Sequence, residues 1–162
     1  MSYCSIVPIY KNSRYKSEVE FPNSWGGAAR IWNSLFDKYL KNPNLPYDSW
    51  MVRSEDLWAL AARKDLEMCE RAVHVSTFDR AYIKRENFKR FAEDLRAFVV
   101  KNPAYGKVCH LLAWAGYIEK CKVYAVGFVG TSCGDNLWER NKLKDGFEVY
   151  KWIENKDEEK KE

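Results

Sequence analysis

The chain has 162 residues, 46% of them hydrophobic and 15% aromatic with seven Trp, which is the size and apolar content of one domain that builds its core without disulfide or metal staples. Disorder is excluded for most of its length, because this much apolar area offsets the entropy of ordering the backbone. The net charge is +4, and the stretch from Asn155 to Glu162 sets three Lys against four carboxylates and leaves the body at +5, a value that suits a nucleic-acid or acidic-protein partner without selecting either.

Tyr3 to Tyr10 is rich in Ile, Val and Tyr and predicts a strand, with Pro8 placing it at a sheet edge or ending it early. Lys16 to Phe21 alternates polar and apolar residues and predicts a short partner strand closed by Pro22. Asn23 or Ser24 then caps a helix whose apolar face is Trp25, Ala28, Ala29, Trp32, Leu35, Phe36, Tyr39 and Leu40, and Pro43 and Pro46 end it. Ser54-Glu55-Asp56 opens a second helix, its carboxylates matched to the positive end of the helix dipole, with Leu57, Trp58, Leu60 and Ala61 on its buried side.

Arg71 to Phe78 alternates with β-branched residues and predicts a central strand. From Arg85 to Val100 the set Phe88, Phe91, Ala92, Leu95, Phe98 and Val99 forms the most regular helical stripe in the chain. Asn102-Pro103 breaks it, and Val108, Leu111, Leu112, Ala115 and Ile118 define a further helix ending near Lys120. Lys122 to Val129 predicts a buried strand, residues 135–144 a loop or short helix, Asp145-Gly146 a turn, and Phe147 to Ile153 a last strand. The fold class that follows is α+β. Residues 1–154 are expected to form a single globular domain, about four helices on a mainly antiparallel sheet of roughly three to five strands, with 155–162 a charged disordered tail.

Chemical signatures are incomplete. Gly130-Thr131-Ser132-Cys133-Gly134 resembles the nucleophile elbow of the α/β-hydrolase family over five residues, but that family places its histidine after the serine, and no histidine follows Ser132. His74-Val75-Ser76 is similar to one half of the H-x-S/T signature of two-histidine phosphoesterases, and the second half is absent. His110 lies beside Cys109 on a helix, where adjacent side chains diverge by about 100° and do not converge on one metal ion. No P-loop or G-x-G-x-x-G follows a strand, so neither a cofactor nor a metal is expected.

The five cysteines, Cys4, Cys69, Cys109, Cys121 and Cys133, are odd in number and form no C-x-x-C pair, which fits reduced thiols in a cytoplasmic protein. The N-terminus lacks a basic n-region and is read as carrying no export signal, and no apolar run reaches the roughly 18 residues that a membrane-spanning helix needs.

Two kinds of binding residue remain. Trp50, Trp138, Tyr47 and Trp25 fall in loops or at element ends, as interface anchors do, because aromatic rings bury large area with few rotatable bonds. Lys11, Arg14 and Tyr15 in the segment 10–16, and Arg80, Tyr82 and Lys84 in the segment 80–90, interleave cations with aromatics as single-strand binders do. The expectation is a non-enzymatic protein that binds another macromolecule, a protein partner ahead of nucleic acid, of the regulator or inhibitor type that includes phage proteins. A small hydrolase using Ser132 or Cys133 is the third reading.

Overall fold

The computed structural model describes residues 3–10, 19–22, 28–41, 54–78, 80–103, 109–129, 143 and 146–159. Within these, the order of elements is β1 (Tyr3–Ile9), β2 (Val19–Pro22), α1 (Ala28–Tyr39), α2 (Ser54–Ala59), α3 (Met68–Val75), β3 (Ala81–Lys84), α4 (Phe88–Lys101), α5 (Cys109–Lys120), β4 (Ala125–Val129), β5 (Phe147–Glu148) and α6 (Val149–Glu159). Short 3-10 turns, Leu60–Ala62 and Arg85–Asn87, extend α2 and lead into α4. The fold is α+β.

The sheet order is β2-β1-β4-β3-β5. β1 pairs antiparallel with β2 and β4, and β3 pairs antiparallel with β4 but parallel with β5. β1 is therefore internal where it pairs with β2, contrary to the edge position that Pro8 suggested. The described β1–β2 ladder runs from Tyr3↔Pro22 to Ile6↔Val19, and Pro8 pairs with Val126 of β4. Successive β1 residues serve two faces: Ile6 joins Ile83 and Val126 in the main core beneath the helices, while Val7 and Ile9 join Ala125 in a smaller cluster with Tyr82 and Leu143.

The helix α3 is the hub, and it corrects the strand expected over 71–78. Every residue from Cys69 to Thr77 is buried, because α1, α4, α6 and the turn after α2 all pack against this helix. Val73 and Val75 within the helix and Thr77 just past it stand two residues apart and imitate strand alternation. Its start is set by a reciprocal capping box, Glu67 with Glu70.

Buried polar groups of α3 tie the surrounding elements together. Glu70, fully enclosed, accepts from Lys38 Nζ (3.0 Å) and Tyr39 Oη (2.5 Å) of α1. Desolvation, with Glu70 as hydrogen-bond acceptor, holds the Tyr39 hydroxyl well above its usual range. Arg71 donates to the Ala61 carbonyl (3.0 Å) and to both carboxylate oxygens of Asp157 on α6. His74 reaches the Leu57 carbonyl of α2 at 2.9 Å. These partners satisfy groups whose burial unpaired would each cost about 1 to 3 kcal/mol.

The C-terminal part also departs from expectation. Only Phe147 and Glu148 are strand, and the chain then turns helical, burying Val149, Tyr150 and Ile153. Glu148 accepts the Lys151 N–H at 2.9 Å, supplying an acceptor for one of the free donors at the helix start. The helix continues to Glu159, so residues 155–159, expected in a charged tail, belong to α6.

The stripe on α4 is as the sequence predicts: Phe88, Phe91, Ala92, Leu95 and Phe98 are buried, and Phe91 meets Trp114 of α5 edge-on at 5.0 Å. No helix among the described residues is long and apolar enough to cross a membrane.

Candidate binding surfaces

An aromatic cluster sits where α1, α2, α3 and α6 meet. Trp58 stacks on the His74 imidazole with centroids 5.8 Å apart, and the edges of Trp32 and Phe78 close on it at 5.3 Å each. Phe78 in turn contacts Trp152 of α6 at 5.6 Å, and the Trp32 indole N–H donates to Thr77 Oγ1 at 2.9 Å. Three rings thus fix the orientation of Trp58, yet the residue is 39% exposed. The sequence pattern had placed it on the buried side of α2; instead Leu57, Leu60 and Ala61 take that side, and Trp58 stands at the surface with Glu55, Asp56 and Ala59.

His74 lies beneath this ring with no exposed area. Burial drives its pKa down to about 4, against a smaller opposing effect of the Leu57 carbonyl, so the imidazole is neutral at pH 7. Its Nδ1 has no hydrogen-bond partner among the described residues. The arrangement departs from the paired-strand geometry of a phosphoesterase: His74 and Ser76 lie on a helix and its cap, and the Ser76 hydroxyl donates to the Val73 carbonyl at 2.6 Å.

A second surface forms at one end of the sheet. The last ladder row joins Ile9, Ala125 and Lys84, since Ile9 and Lys84 both pair with Ala125. One step beyond it come Tyr10, Tyr124 and Arg85, and the Arg85 N–H donates to the Tyr124 carbonyl at 3.1 Å. Tyr10 is 43% and Tyr124 42% exposed. Lys84, Arg85, Glu86 and Tyr124 line an open depression of about 430 Å³. The register therefore places the start of one basic aromatic segment and the middle of the other at the same end of the sheet, with β4 between them.

The remaining residues of those segments are placed differently. Arg80 is exposed but stands at the opposite end of β3, about 13 Å of strand from Lys84. Tyr82 is half-buried in the smaller core cluster, and burial there raises its pKa. Lys11, Arg14 and Tyr15 lie outside the described residues, as do Trp25, Tyr47, Trp50 and Trp138, the elbow residues Ser132 and Cys133, and the side chain of His110. The signal that sequence reasoning passed over was Tyr124, taken as an interior strand residue although it precedes the strand's first paired position, Ala125. Comparison with protein-family models, curated proteins and solved structures finds no match for the chain.

Proposed function

We propose that the protein acts by binding a protein partner, as a regulator or inhibitor does, with Trp58 as a central anchor. The observation that carries this reading is that Trp58 is both held and exposed: Trp32, His74 and Phe78 fix its ring while 39% of the residue faces solvent. A ring already immobilised in the free protein loses little further entropy on docking, which is what makes rigid aromatic side chains effective anchors. Glu55 and Asp56, exposed beside it on α2, favour a partner with an apolar pocket and a basic rim. The unpaired thiols of buried Cys69 and half-buried Cys121 support a reducing, cytoplasmic setting.

The test is affinity capture from the native host with the parent chain and with Trp58→Ala as bait. The anchor reading expects a specific protein retained by the parent and its binding weakened about thirtyfold or more by the substitution. Equal retention by both baits, with the circular dichroism of the variant unchanged, would remove Trp58 from the interface.

A further inference from the structure

We propose that the sheet end built from Tyr10, Tyr124, Lys84 and Arg85 is a binding site for single-stranded nucleic acid. It uses none of the Trp58 cluster and stands independently of the protein-partner reading.

The geometry supplies a short platform. Tyr10, Tyr124 and Arg85 each flank the paired row Ile9, Ala125 and Lys84, whose strands are spaced about 5 Å apart, and the Arg85 N–H bonds the Tyr124 carbonyl. Both tyrosines are more than two-fifths exposed, whereas Ile9 and Ala125, the strand residues they adjoin, are buried. An exposed aromatic face receives any unpaired base by stacking, with no requirement on base identity. Beside Tyr124 the surface is hollowed into an open depression of about 430 Å³ that also takes in Lys84, Arg85 and Glu86.

The charge pattern points the same way. Elsewhere Lys38, Arg63, Arg71, Arg96, Lys101 and Lys156 pair with carboxylates, while Lys64, Lys89, Lys120, Lys122 and Lys151 form no such ion pair among the described residues. Lys84 and Arg85 form no such pair among the described residues, and Glu86 is the single acid lining the depression against these two cations. Lys120 and Lys122, on the segment leading from α5 into Tyr124, are exposed and carry positive charge toward the same end. Lys89 and Lys120 lie close enough to Glu119 to assist Arg96 in holding that carboxyl below its usual range.

Unpaired cations beside exposed rings match a ligand with phosphates and free base faces together. A duplex offers phosphates but hides its base faces, and a purely acidic polypeptide such as poly-glutamate offers charge without rings. Single-stranded nucleic acid supplies both.

The experiment is fluorescence anisotropy of the full chain with a labelled 15-nucleotide oligo-dT, a 15-base-pair duplex and poly-glutamate. The proposal expects oligo-dT to bind more tightly than the duplex or the polypeptide, with affinity falling as salt rises. Arg85→Gln should lower the log–log salt slope by about 0.7, the loss of one phosphate contact on a single strand. Tyr124→Ala should weaken binding at least about fivefold, Tyr10→Ala likewise, and Tyr124→Phe, which keeps the ring, should bind like the parent. Absence of oligo-dT binding at low salt overturns the proposal. Equal affinity for duplex or poly-glutamate also overturns it, as does parent-like binding by both alanine variants.

Discussion

Arg71 of α3 and Asp157 of α6, 86 residues apart in the chain, meet in a bidentate pair with hydrogen bonds of 3.1 and 2.9 Å. The guanidinium side is almost wholly enclosed, at 5% exposure, while the Asp157 side chain keeps 31%. Removing the carboxylate would leave a buried cation with the Ala61 carbonyl as its remaining hydrogen-bond acceptor among the described contacts. Asp157→Ala is expected to cost about 3 kcal/mol in urea denaturation. Truncation after Glu154 should cost at least as much, since it deletes Asp157; an unmoved midpoint would mean that the end of α6 is dispensable.

His74 makes stability depend on pH. In the folded chain its pKa is about 4, against an ordinary value of 6.5, so between these values the unfolded chain binds a proton that the folded chain refuses. This contribution is complete above pH 6.5 and is lost as pH falls toward 4, by about 2 kcal/mol between pH 7.5 and 5. His74→Gln retains a donor for the Leu57 carbonyl and does not titrate. Urea midpoints across that interval should fall less steeply for the variant, and parallel profiles would show that His74 is accessible to protons in the folded state.

Phe91 lies at the centre of the α4–α5 contact, fully buried against Trp114. Phe91→Ala should lower stability by about 3 to 5 kcal/mol, through lost apolar burial and the cavity left behind. Phe91→Leu, which preserves most of the volume, should cost clearly less in the same titration.

Arg80 occupies the left-handed region, with φ 67°, and its carbonyl accepts the Phe147 N–H that opens the β3–β5 pairing. A side chain there costs about 1 kcal/mol relative to glycine, and a β-branched one more. Arg80→Gly is therefore expected to raise thermal stability slightly and Arg80→Val to lower it. The opposite order would place the turn's constraint in the arginine side chain rather than in its backbone.

The legibility of each element follows from what surrounds it. The stripe of α4 could be read because one face packs on α3 and α5 while Lys89, Arg90, Glu93 and Arg96 face water, so burial and sequence share the helical period. The strands β1 and β4 could be read because both of their faces are buried, Ile6 and Val126 in the main core and Val7, Ile9 and Ala125 in the smaller cluster. The helix α3 could not, because Val73, Val75 and Thr77 recur at the two-residue spacing of a strand, and its polar Glu70, Arg71 and His74 are as buried as its apolar residues. Trp58 was misplaced for a related reason: α2 has six residues, too few for a period to separate it from Leu57 and Leu60.

The sequence by itself determined the α+β class, the position of most helices and the presence of unassigned cations and aromatics, because local burial contrast and turn chemistry are written in neighbouring residues. Tertiary structure decided which of these stand together. The pairing of Arg71 with Asp157, the rings that fix Trp58, and the alignment of Ile9, Ala125 and Lys84 that sets Tyr10, Tyr124 and Arg85 at one end of the sheet all depend on strand register and helix packing between segments distant in the chain. A one-residue shift of that register would send alternate side chains to the other face of the sheet, and no local pattern encodes which partner a strand end will meet.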